Sequence, residues 1–138
     1  MTVYQITHDM ARSVWPRVKG HLNPAIERSG GRWTSEYVLA SLVTGEHKLW
    51  AVVHADSAVC IGAATTQIIQ YPEKRFVAIH FLGGDGFEVW YSELLQVLCN
   101  YAADCDCDGI ECNARFGFWK FFKKDGFKKV STFYEKVL

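Results

Sequence analysis

Residues 75–114 read RFVAIHFLGGDGFEVWYSELLQVLCNYAADCDCDGIECNA, and their order decides the fold. Arg75 to Leu82 is rich in β-forming residues. From Trp90 the apolar positions recur every three or four residues, at Leu94, Val97, Leu98, Tyr101 and Cys105, the period of an amphipathic helix of about four turns. Gly109 to Ala114 returns to alternation, with Ile110, Cys112 and Ala114 on one side and Glu111, Asn113 and Arg115 on the other. A strand, a helix and a second strand in succession imply a crossover, so the two strands should be parallel neighbours, splayed beside the glycines between them.

Working outward, Lys48–His54 and Ala58–Gln70 read as strands around the turn Ala55-Asp56-Ser57. Tyr71-Pro72-Glu73-Lys74 is a second turn, which makes three consecutive antiparallel strands. Toward the N-terminus, Val3–Thr7 is a short strand. Asp9 is a candidate cap for a helix carrying Val14, Trp15 and Val18, with Pro16 near its first turn or kinking it, and Gly20 to Gly31 is a polar connection. Thr34 caps a second helix that stops at Gly45. Toward the C-terminus, Phe118–Lys124 is a short helix ending at Asp125-Gly126, and Phe127–Leu138 closes with a strand. The order is β-α-α-β-β-β-α-β-α-β, an α/β (α+β) arrangement in one domain over residues 1–138.

Composition narrows the function classes. Hydrophobic residues make up 49% of the 138, enough for a core, and the formal net charge is zero, so no global field points to nucleic acid or a membrane. The N-terminus lacks the basic start and apolar block of a signal peptide, and no apolar run approaches a bilayer's width, so a cytoplasmic protein is expected. The five cysteines, Cys60, Cys99, Cys105, Cys107 and Cys112, form no C-x-x-C pair and match no usual zinc spacing. Free thiols and no metal are expected, with Cys99, Cys105 and Cys112 as small core residues. No lysine or arginine occurs from Phe76 to Ala114, whereas Arg115–Leu138 carries seven basic residues against two acidic ones. Such runs read first as solvated faces.

The stretch FLGGDGFE, residues 81–88, admits two readings. Glycines before a helix let a phosphate reach its free N–H groups and positive dipole end. Alternatively the glycines only turn the chain, while Asp85 and Glu88 form a variant capping box that uses those donors and repels a phosphate. The two acids favour the second reading.

The element order resembles the acyl-CoA N-acyltransferase (GNAT) superfamily over essentially the whole chain. FWKFFKKDGFKKV, residues 118–130, is similar to that superfamily's last helix and following strand. GRWTSEYVLASLVTGEHKLWAVV, QIIQYPEKR, FLGG and ARFGFWKFFKKDGF together resemble small GNAT-like proteins of tailed phages and prophages. The resemblance implies helices on both faces of a mixed, mostly antiparallel sheet. It implies acetyl-CoA or another acyl-CoA as cosubstrate, held at Phe81, Leu82, Gly83, Gly84, Gly86 and Phe87, and a small-molecule or protein amine as acceptor. The chain departs from the family pattern in three places. No Arg or Gln precedes the glycines, Phe122 stands where many members have a proton-donating tyrosine, and Arg115 stands where an asparagine is common.

Candidate bases are His80 on the fourth strand, which would titrate near neutrality, and Glu111 on the fifth. Against these stand plainer readings, a histidine bonded to a carbonyl and a Glu111–Arg115 ion pair. Arg32, Trp33 and Arg115 are candidate acceptor-binding residues. The alternative function is a GNAT fold without catalysis, serving as a phage structural module or binding a phage or host protein.

Overall fold

The computed structural model describes residues 1–138. Five strands form one sheet in the order β1 (Thr2–Ile6), β2 (Lys48–Val53), β3 (Cys60–Gln70), β4 (Arg75–Gly84), β5 (Gly109–Cys112). The first three pairings are antiparallel, and β4–β5 is parallel, as a helical crossover requires. That crossover is α3 (Phe87–Asp104).

Strand alternation sorts the core. Along β2, Leu49 and Ala51 face α1 (Ala11–Glu27) and α2 (Ser35–Val43), while Trp50 and Val52 face α3. On the first face Trp15, Val18, Leu22 and Ile26 of α1 meet Val38 and Leu42 of α2 and Phe81 of β4. On the second, Trp90, Leu94 and Leu98 of α3 pack on Trp50, Ala64, Ile79 and Leu82. Trp50 Nε1–H donates to Thr66 Oγ1 at 2.8 Å, so the buried indole leaves no orphan donor.

Thr34 caps α2 by accepting from the Tyr37 N–H at 3.1 Å, and Gly45 stops it with a positive φ of 81°, both as expected. The first helix differs from expectation. It starts after Met10 without a side-chain cap, passes through Pro16, and continues through Gly20 and Pro24 to Glu27. The buried stripe Trp15–Val18–Leu22–Ile26 repeats every three or four residues, and its burial outweighs the glycine and prolines in the same segment.

Past β5 the chain makes a 3₁₀ turn at Phe116–Phe118, the short helix α4 (Trp119–Phe122), and a second 3₁₀ turn ending at Gly126. The expected closing strand at Phe127–Leu138 is not laddered. Only Phe127 donates a backbone hydrogen bond, to Phe122, and residues 128–138 lie exposed. This segment is held by side chains instead: Phe127 stacks on Phe122, Lys129 sits over Phe116 and Trp119, and Glu135 pairs with Arg32.

Candidate functional site

The β4–β5 ladder runs from Phe76–Gly109 to Ile79–Cys112 and stops there, while β4 continues to Gly84. The strands therefore splay, and a cleft of about 460 Å³ opens between them. One face of α1 forms one wall, with His21, Pro24 and Arg28. Leu82, Gly83 and Gly84 form the floor, the start of α3 contributes Phe87 and Glu88, and Arg115, Gly117, Phe118, Lys120 and Phe121 form the far wall.

The glycine stretch takes neither expected form outright. Asp85 is not a helix cap. The cap residue of α3 is Gly86, in the left-handed region at φ 65°, and no side chain bonds to it. The backbone of Asp85 is engaged elsewhere: its N–H donates to the Ile61 carbonyl at 2.8 Å and its carbonyl accepts from Trp90 Nε1–H at 2.7 Å. Those two bonds turn Asp85 toward β3 and shift the helix start by one residue. The N–H groups of Gly86, Phe87 and Glu88 consequently donate to no acceptor in the chain, at the positive end of an 18-residue helix. Gly83 has a packing reason: a Cβ there would overlap the carbonyl oxygen of His21, so glycine lets α1 lie directly on β4.

Charge in the cleft is mostly positive. Burial, and then the neighbouring Arg115, hold the Arg28 guanidinium below its ordinary value. Neither arginine has an acidic partner, because the one ion pair in the protein joins Arg32 to Glu135. Lys120 adds a third cation and Glu88 is the opposing charge. An anion seated here would meet unpaired guanidinium groups and free backbone donors together. Arg28 and Lys120 were missed in the sequence, since only the fold brings the end of α1 opposite the end of β5.

His80 lies one residue past the last β4–β5 pair, at the apex where the strands begin to splay and outside the lining of the cleft itself. It is also the extra residue of a β-bulge, since Thr65 pairs with Phe81 and Thr66 with Ile79. The bulge puts His80 and Phe81 on the same face, under Trp33, whose ring centroid is 6.2 Å from His80 and 6.0 Å from Phe81. His80 does not bond a carbonyl of the main chain. Its Nε2 lies 2.9 Å from Gln67 Oε1, and its ring stacks on His47 at 4.7 Å. Nor does it titrate near neutrality: burial first, and then His47, push it down to about 4.

Glu111 forms no pair with Arg115. Tyr71 donates its hydroxyl to Glu111 Oε1 at 2.6 Å, and Arg115 lies over the Phe118 ring instead. Register explains it, because Glu111 is opposite Ala78 within the ladder, whereas Arg115 lies beyond the ladder's end. His80 and Trp33 are thus brought together, and Glu111 is engaged elsewhere. Arg32 reaches the C-terminal segment, bonding Glu135 and stacking on Phe133 at 5.2 Å. Phe122 is buried against Phe118 and Phe127. All five thiols are free, and no group of His, Cys, Asp or Glu is arranged to hold a metal. Cys99 is exposed, contrary to the core role expected for it, and burial pushes the Cys112 thiol up to about 12. No helix is long and apolar enough to cross a membrane.

No family model and no curated protein matches this sequence. Solved structures do match. A ribosomal-protein-alanine N-acetyltransferase from Brucella melitensis biovar Abortus 2308 superposes with a TM-score of 0.73 at 12% identity, covering 100% of both chains. A GCN5-related N-acetyltransferase from Ralstonia eutropha JMP134 gives 0.68 at 11%, covering 99% of this chain and 97% of the other. Glucosamine-6-phosphate N-acetyltransferase from Arabidopsis thaliana gives 0.66 at 11%, with the same coverage. The chain has the GNAT fold. At these identities the likeness speaks for the architecture, and the chemistry rests on the cleft.

Proposed function

We propose that the protein is an N-acyltransferase that takes an acetyl or other acyl group from CoA and delivers it to an amine. The cleft at the β4–β5 splay carries this reading: free N–H groups at the start of α3 stand beside Arg28, Arg115 and Lys120. In this reading the diphosphate lies at Gly86, Phe87 and Glu88, with Arg115 and Lys120 supplying charge, and the acyl arm follows Leu82 and Phe81 toward the apex. Phe81, Leu82, Gly83, Gly84, Gly86 and Phe87 form the cofactor-side set, and Trp33 with Arg32 walls the acceptor side.

At the apex His80 is the base. The amine nitrogen bonds to the thioester carbonyl carbon and the carbon–sulfur bond breaks. The proton shed by nitrogen passes to the imidazole and returns to the leaving thiolate. A ring held near pKa 4 is neutral at physiological pH and a weak base, so it takes the proton only after the nitrogen has bonded to the carbonyl carbon and become acidic. Glu111, bonded to Tyr71, has no part in this step. Positioning supplies the remainder, so a phenylalanine at 122 is compatible with turnover. The reaction belongs in the cytoplasm of a bacterial host.

Phe122 and Glu88 favour a second reading, a GNAT-like phage protein kept as a binding module: the first has no proton to give, and the second puts negative charge beside the diphosphate position. Incubation with acetyl-CoA and a panel of amines, with released CoA followed by chromatography, separates the two. The enzyme reading expects amine-dependent CoA release that His80→Phe reduces by about 10²-fold or more. Absence of amine-dependent release would point to the module, whereas amine-dependent release unaffected by His80→Phe would keep the enzyme reading and remove His80 as its base.

A further inference from the structure

Two polar side chains contact His80, and a third, Ser41, contacts one of the two, in a way that acyltransfer alone does not require. Gln67 Oε1 lies 2.9 Å from His80 Nε2. His47 is 4% exposed and stacks on His80 with ring planes 23° apart. Ser41 Oγ lies 2.7 Å from the Val38 carbonyl and 3.2 Å from His47 Nδ1. A hydroxyl has one hydrogen, and the shorter contact to a carbonyl takes it, so Ser41 can only accept from His47. His47 is therefore the Nδ1–H tautomer. An amide oxygen likewise only accepts, so His80 Nε2 must carry the hydrogen that Gln67 receives, and Nδ1 is left as the basic nitrogen of His80.

We infer that Gln67 and His47 are positioning residues for His80: Gln67 fixes its Nε2–H tautomer, and His47 holds its ring plane. The inference rests on the acyltransfer reading of the cleft. A base must present a lone pair in one direction, and a neutral imidazole free to exchange tautomers presents the wrong nitrogen part of the time. The bulge is what makes the arrangement available. It swings His80 onto the α1–α2 face, where Gln67 from β3 and His47, just before β2, meet it. Of the titratable groups, His47 alone acts on His80, and Glu46 acts in turn on His47.

Nitrogen NMR of histidine-labelled protein at neutral pH reads the tautomer directly, and the acid limb of the kcat/KM profile reads the base. The expected result is an Nε2–H tautomer at His80 in the unaltered protein. Gln67→Leu should convert it to a tautomer mixture and lower kcat by roughly tenfold or more, with KM for acetyl-CoA little changed. Gln67→Glu, nearly the same shape, should fold even where Gln67→Leu does not, and its carboxylate should move the acid limb up by about one unit or more. An Nδ1–H ring at His80, or an acid limb unmoved by Gln67→Glu, overturns the inference. The two levels fail differently. The right tautomer without amine-dependent acyl transfer removes the acyltransfer reading and the positioning role with it, whereas the wrong tautomer in an active enzyme removes the positioning role alone.

Discussion

A methyl group at Gly83 would overlap the His21 carbonyl, with α1 behind it, so the clash is with backbone that cannot rotate away. Gly83→Ala should cost roughly 2 kcal/mol or more, read as a lowered urea midpoint with unchanged slope. Asp85 tests the opposite expectation. Its side chain caps nothing, so Asp85→Ala should shift stability by less than about 0.5 kcal/mol, where loss of a true cap costs about 0.5–2. His80 gives the acid response. Its folded pKa, about 4, lies below the ordinary 6.5, so the unfolded chain binds more protons between those values. Its contribution is complete above pH 6.5 and is lost as pH falls toward 4, on the order of 1–3 kcal/mol. Thermal melts across that window should show the decline, and His80→Phe should flatten it.

Among the elements, those with a burial stripe were legible in the sequence. The period from Trp90 to Cys105 located α3, and β4, β5 and their parallel pairing followed from the crossover. Local punctuation misled where burial overrode it. Gly20 and Pro24 suggested a loop, yet Leu22 and Ile26 continue the buried stripe of α1. At the other end, β-forming residues in 127–138 suggested a strand, but propensity alone forms no ladder, and the outer edge of β5 stays unpaired. Because those residues are held by exposed side-chain contacts and one surface ion pair, truncation after Phe127 should change stability by less than about 1 kcal/mol, measured by denaturant titration.

For the whole molecule, the architecture could be read from the order of elements, and the site could be read only in part. His80, Trp33, Arg115 and the glycine stretch could be named because they lie in motif-like strings. Arg28, Lys120 and Gln67 could not, since what matters in each is a neighbour 13 or more residues away, as with Gln67 and His80. The capping box was misread because Asp85 and Glu88 have the right spacing, while the bonds that decide the helix start run to Ile61 and from Trp90. The central claim is that the splayed cleft holds acyl-CoA. Calorimetric titration with acetyl-CoA, run on the intact protein and on Arg115→Ala, tests it most directly. One site per chain is expected, with Kd in the range of about 1 μM to 1 mM typical of enzyme substrates. Arg115→Ala should weaken it by roughly tenfold, the loss of one charge-assisted contact. No binding heat at millimolar acetyl-CoA, or binding that Arg115→Ala leaves unchanged, would contradict the account.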